Sequence, residues 1–125
     1  MKLDKTTYLF NLIELEETNM KQQFNIHIQN AGNHRLQPVD GKLIKDHTLL
    51  PIKLFIHHGV ICTTPLEYYP SWTISEFETG AHMATDKTQK AALLDLTERV
   101  NKRGTTVSQM QDIIADTVKR WGKAN

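Results

Sequence analysis

The sequence predicts an α+β fold: a small antiparallel β-sheet over the first two-thirds of the chain, then a C-terminal antiparallel two-helix hairpin. Three observations lead there. Short apolar runs of period two, broken by turn residues, occupy residues 1–86. From residue 87 onward the apolar period is helical. No Pro/Gly/Ser-rich linker, repeat or low-complexity stretch divides the halves, so residues 1–125 read as a single domain. A sheet followed by helices packs the helical pair on one sheet face and leaves the other for solvent or a partner.

Residues 8–17 suit either period. Glu14, Glu16 and Glu17 would oppose the dipole at a helix C-terminus, so a strand is expected, hairpinned through Glu17-Thr18-Asn19. Phe24, Ile26 and Ile28 alternate with Asn25, His27 and Gln29, the signature of a half-buried strand. Asp40-Gly41 is a dipeptide that favours a type I′ hairpin turn. Ile52, Leu54 and Ile56 alternate again, and His58-Gly59 is a weaker turn signal leading into Val60-Ile61-Cys62. Residues 72–77 and 81–85 flank Thr79-Gly80, a second expected hairpin.

The helical pattern then begins. In residues 88–103, Ala92, Leu93, Leu96 and Val100 form one apolar stripe, and Asp95→Arg99 and Glu98→Lys102 are favourably oriented i,i+4 pairs. Gly104 supplies a left-handed stop. Thr106-Val107-Ser108-Gln109 has the form of a capping box. Val107, Met110, Ile114, Val118 and Trp121 carry a second stripe as far as Gly122. Trp121 is therefore expected in the core or at a dimer interface.

Composition narrows the function. The chain has 125 residues, 39% apolar and 23% charged, and 15 Lys+Arg balance 14 Asp+Glu to a formal charge of +1. A length of this order supports one core without disulfides or metal. Near-neutrality argues against extended DNA or RNA binding, which calls for a basic excess. No apolar run approaches the about 18 residues of a membrane helix. One cysteine, Cys62, cannot form an internal disulfide, and no signal-peptide pattern follows Met1. The expectation is a cytoplasmic protein, working inside a host cell.

Six histidines invite a test for metal binding: His27, His34, His47, His57, His58 and His82. None has the H-x₃₋₅-H or C-x₂-C spacing of a zinc site, so neither metal nor cofactor is expected. A cross-strand group of His58, Cys62 and His82 is the remaining way to assemble one. Cys62 beside His57 or His58 is the sole thiol–imidazole pair, and its apolar run reads as packing rather than catalysis. Glu76 and Glu78 share a strand face and read as a solvated pair. No catalytic residue is assigned.

Charge placement is more informative. Residues 1–85 hold seven basic and nine acidic side chains, and residues 86–125 hold eight and five. Arg99 and Arg103 share a helix face, with Lys102 beside them, while Lys119, Arg120 and Lys123 make a second cluster. Complementing helix dipoles explains most of this pattern. Two arginines a turn apart can also grip a phosphate bidentately, with Trp72 or Phe77 stacking on a base. The candidate ligand-binding set is Arg99, Arg103, Lys102, His82, Trp72 and Phe77. An antiparallel hairpin separates the two clusters, so a homo-oligomer is expected to bring them together.

The hairpin Trp72-Thr73-Ile74-Ser75-Glu76-Phe77-Glu78-Thr79-Gly80-Ala81 enters a helix through Thr88-Gln89-Lys90-Ala91. With its sheet-then-helices order and the Trp72, Arg99, Arg103 arrangement, the chain resembles short accessory proteins of phages and prophages. Among these it is similar in layout to anti-defence sponges, which sequester cyclic nucleotide signals without degrading them. The resemblance implies a non-enzymatic binding protein whose partner is a small nucleotide. Two alternatives stand beside it. One is a protein–protein inhibitor of a host defence enzyme such as a CRISPR nuclease. The other is a small metal- or Cys/His-dependent enzyme.

Overall fold

A computed structural model describes residues 22–30, 33–61 and 67–125. The expected strand at residues 8–17, its hairpin and Cys62 lie outside the described residues. Five strands form one antiparallel sheet in sequential order: β1 (Gln22–Asn30), β2 (Asn33–Ile44), β3 (Leu54–Ile61), β4 (Glu67–Glu76) and β5 (His82–Asp86). Two helices follow, α1 (Gln89–Arg103) and α2 (Val107–Trp121). The α+β class and the order of sheet and helices are as the sequence predicts. Among the described residues, no helix is long and apolar enough to cross a membrane.

The helix ends are set locally. Thr88 Oγ1 accepts from Ala91 N–H to start α1, and Gly104 at φ +66° stops it. At α2 both bonds of the capping box form, Gln109 N–H to Thr106 Oγ1 and Thr106 N–H to Gln109 Oε1. Asp95 and Arg99 pair at 3.0 Å along α1.

Two turn expectations need correction. β2 runs straight through Asp40-Gly41, with Asp40 opposite Gln23 and Gly41 opposite both Gln22 and His57. The chain reverses instead between Asn30 and Asn33. Gly41 is needed for space: a Cβ there would lie 2.7 Å from Ile56 O and 3.3 Å from the Phe24 ring. Its bareness lets Phe24 reach across β2 and stack on Phe55, with centroids 4.6 Å apart. His58-Gly59 likewise stays in its strand. Between the pairs His58↔Trp72 and Val60↔Tyr68, β3 advances two residues and β4 four, and this bulge takes in Pro70.

The sheet has two apolar faces. On one, Leu54, Ile56, Trp72, Ile74 and Ala84 pack beneath Ala92 and Leu96 of α1 and Met110 of α2. On the other, Phe24, Ile26, Val39 and Phe55 form a second cluster, joined by Phe77. The second face is therefore not left open to solvent or a partner, because the sheet curls over it. β1 and the β4–β5 turn stand at opposite ends of the strand order, yet His27 N–H donates to Gly80 C=O at 3.0 Å. The end of the chain fastens this closure. Asn125 Oδ1 accepts from Asn25 N–H at 2.8 Å, and its Nδ2 donates to Asn25 C=O and Phe77 C=O. Ala124 is buried, and its N–H donates to Glu78 C=O at 2.7 Å. Backbone groups on the outer edge of β1 at Asn25 and His27 are thus satisfied within the chain.

Candidate functional site

A cleft of about 330 Å³ opens between α1 and α2, with the β4–β5 turn as its floor. Helix periodicity builds its α1 wall, because Leu96, Val100 and Arg103 recur at i, i+4 and i+7, with Arg99 beside them. From α2 come Met110, Ile113, Ile114 and Thr117, and from β5 come His82 and Met83. The lining is apolar with a cationic rim. Asp95 Oδ2 pairs with Arg99 across 3.0 Å at Nε, and the terminal nitrogens of a guanidinium are the ones that grip an oxyanion bidentately.

His82 Nε2 lies 2.6 Å from Thr85 Oγ1. Burial lowers the His82 pKa from its ordinary value, and the Arg99 guanidinium lowers it further, while Asp95 acts in the opposite sense. At neutral pH the cleft's positive charge thus comes from its two arginines. Among the described residues its single lining carboxylate is Glu76, which is 2% exposed. It accepts from Glu78 N–H, Thr79 N–H and Thr79 Oγ, which caps the turn. The expectation of a solvated Glu76–Glu78 pair is corrected: Glu76 is a buried turn anchor.

The predicted set divides. Arg99, Arg103 and His82 meet in the cleft. Trp72 does not: it is 4% exposed, packed among Ile74, Ala84, Ala92 and Leu96, and His58 covers its ring at 3.8 Å. Its side chain belongs to the core and offers no free face for a base. Phe77 lies on the other cluster, edge-on to Phe24 at 6.1 Å and beneath Lys53 Nζ. Lys102 is exposed on α1 and does not line the cleft.

The remaining histidines are engaged elsewhere. His57 Nδ1–H donates to His58 C=O at 2.7 Å, which leaves Nε2 to accept from Ser75 Oγ–H at 2.9 Å. Burial drives the His57 pKa down to about 4. An imidazole this weakly basic is a poor general base at neutral pH, and Ser75 is 1% exposed. The pair satisfies buried polar atoms between β3 and β4. His27 Nε2 and His34 Nδ1 lie 3.0 Å apart on β1 and β2, where one ring donates and the other accepts. Among the described residues, no three of His, Cys, Asp and Glu gather closely enough to hold a metal ion.

Sequence reasoning missed the surroundings of Trp121. The indole is 53% exposed, neither in the core nor at a described interface, and it stacks on His34 with centroids 4.1 Å apart. Placing the β1–β2 reversal correctly would have put His27 and His34 on one face as diagonal cross-strand neighbours. Comparison of the chain with protein-family models, curated proteins and solved structures finds no match.

Proposed function

We propose that this chain is a non-enzymatic binding protein that sequesters a small nucleotide in the cleft between α1 and α2. One observation carries the reading: Arg99 and Arg103, a turn apart, open with His82 onto a hollow of about 330 Å³ that is otherwise mostly apolar. Paired guanidiniums suit a phosphate or diphosphate, and Met83, Leu96 and Val100 suit the sugar and base edge. Trp72 and Phe77 play no part in this site. The resemblance to phage anti-defence proteins read from the sequence makes a cyclic nucleotide signal the first ligand to test. Withdrawing such a signal would blunt a host antiviral response.

Calorimetric titration with cyclic mono- and dinucleotides is expected to find a tight binder, recovered chemically unchanged after denaturation. Replacing both Arg99 and Arg103 by alanine should weaken it by about 100-fold or more, since hydrogen bonds to charged groups contribute about 1.5–3 kcal/mol each. Undiminished binding in that variant would remove the site assignment, and a degraded nucleotide would indicate an enzyme. Failure of every nucleotide, together with stoichiometric capture of a host defence enzyme, would favour the inhibitor reading.

Binding should also respond to acid. His82 is neutral at pH 7, and a bound anion raises its proton affinity, so the complex takes up a proton and tightens as pH falls. Titrations from pH 7.5 to 5.5 should show this in the wild type and lose it in His82→Gln. Equal slopes in both would place His82 outside the ligand's reach.

A further inference from the structure

We propose that the cleft is only the phosphate-binding half of a longer groove, and that its ligand is a dinucleotide with a second base stacked on Trp121. This rests on the cleft reading for the first half; the second half has its own observations. A neighbouring hollow of about 280 Å³ is lined by His27, His34, Arg35, Trp121 and Lys123. Thr79 and Thr117 line both hollows, so the two adjoin along α2. Met110, Ile113, Ile114, Thr117 and Trp121 follow one another at i, i+3, i+4, i+7 and i+11, so one face of α2 forms a wall common to both.

The far end is chemically suited to a base. His34 stacks on the indole at 4.1 Å, and Trp121 remains 53% exposed, which leaves ring surface for a base. His27 backs His34 through the 3.0 Å ring–ring hydrogen bond and a stacked contact at 4.8 Å. A ring held in this way loses little freedom when a base settles on it. Arg35 and Lys123 stand beside the stack and add positive charge. Glu76, already satisfied within its turn, is the sole carboxylate among the described residues lining either hollow. From Ile113 to Trp121 is roughly 12 Å along the helix at 1.5 Å per residue. The two hollows are similar in size, each of the order of one nucleotide, so a dinucleotide engages both.

The experiment compares adenosine 5′-monophosphate with the linear dinucleotide pApA by calorimetry and tryptophan fluorescence. In the wild type, pApA should bind at least tenfold more tightly and quench the exposed indole. Trp121→Ala should lower pApA affinity by about 10- to 100-fold, the range for loss of one base–aromatic stack, while the mononucleotide affinity stays within twofold. Trp121→Phe keeps a ring and should restore most of the loss. Arg99→Ala with Arg103→Ala should weaken both ligands. If Trp121→Ala lowers only the melting temperature and leaves pApA binding unchanged, the stack is structural and the inference is overturned, with the cleft reading intact. Equal wild-type affinity for the two ligands overturns it in the same way. If the arginine variant binds both ligands normally, the cleft reading falls instead, whatever Trp121 does.

Discussion

Gly80→Ala is expected to lower the unfolding free energy by about 3 kcal/mol or more, with a fall in melting temperature of roughly 10 °C. Two effects combine. Gly80 sits at φ +68°, where an L side chain costs about 1–2 kcal/mol. Its Cβ would also meet Asn25 O and His27 N at 2.8 Å and Ile26 Cα at 3.0 Å, all backbone atoms of β1 that cannot swing aside. Relief therefore requires β1 to move off the turn, which breaks the His27–Gly80 hydrogen bond and loosens the Phe24 cluster behind it. Gly104 is an internal control: its φ is +66°, but nothing lies within 4 Å of a Cβ there. Gly104→Ala should cost only the conformational part, about 1–2 kcal/mol. Urea unfolding of the two variants side by side measures the difference. Equal costs would mean that β1 does not close on the β4–β5 turn.

The second large effect is acid destabilisation through His57. Its folded pKa of about 4 lies below the ordinary value of 6.5, so the unfolded chain binds the proton more readily. Between these values the unfolded state carries more protons, and stability rises with pH. The contribution is fully present above about pH 6.5, declines as pH falls, and is gone below about pH 4, amounting to up to about 3 kcal/mol. His47 and His82, whose pKa values burial also lowers, add to the same slope. Denaturation midpoints from pH 7 to 4.5 should fall steeply in the wild type and much less in His57→Gln, whose amide can still donate to His58 C=O and accept from Ser75. A variant slope as steep as the wild type's would show that His57 is not the buried neutral group responsible.

What could be read in the sequence follows from how local its causes are. Thr88, Gly104, Thr106 with Gln109, and Gly122 act on backbone within four residues, and both helices begin and end where these residues place them. The Thr79-Gly80 turn is equally local. Gly41 and Gly59 were misread because a glycine can serve a turn or a close approach. What demands the close approach, the Phe24 ring and Ile56 carbonyl at Gly41, and Ser71 and Tyr69 at Gly59, comes from other strands. The same distinction governs the site. Arg99 and Arg103 are legible as an i,i+4 pair, whereas His82 joins them only because β5 runs beneath α1. Trp72 was expected at the ligand because it is aromatic, but its strand parity turns it under α1. Trp121 fits the apolar spacing of α2 and was expected to be buried. The stripe's last turn instead carries Trp121 to the β1–β2 histidines, His27 and His34.

The fastening of β1 by Asn125 has a consequence for synthesis. The two asparagines that clasp each other are one hundred positions apart, an interval of about 5–20 s at ordinary translation rates. Throughout that interval β1 can pair with β2, but its outer edge waits for Gly80 and then for Asn125. Among the described residues, nothing fastens that strand edge of a nascent chain until Gly80 and then Asn125 have been added. A stalled or truncated product would keep that edge and be selectively prone to joining others of its kind.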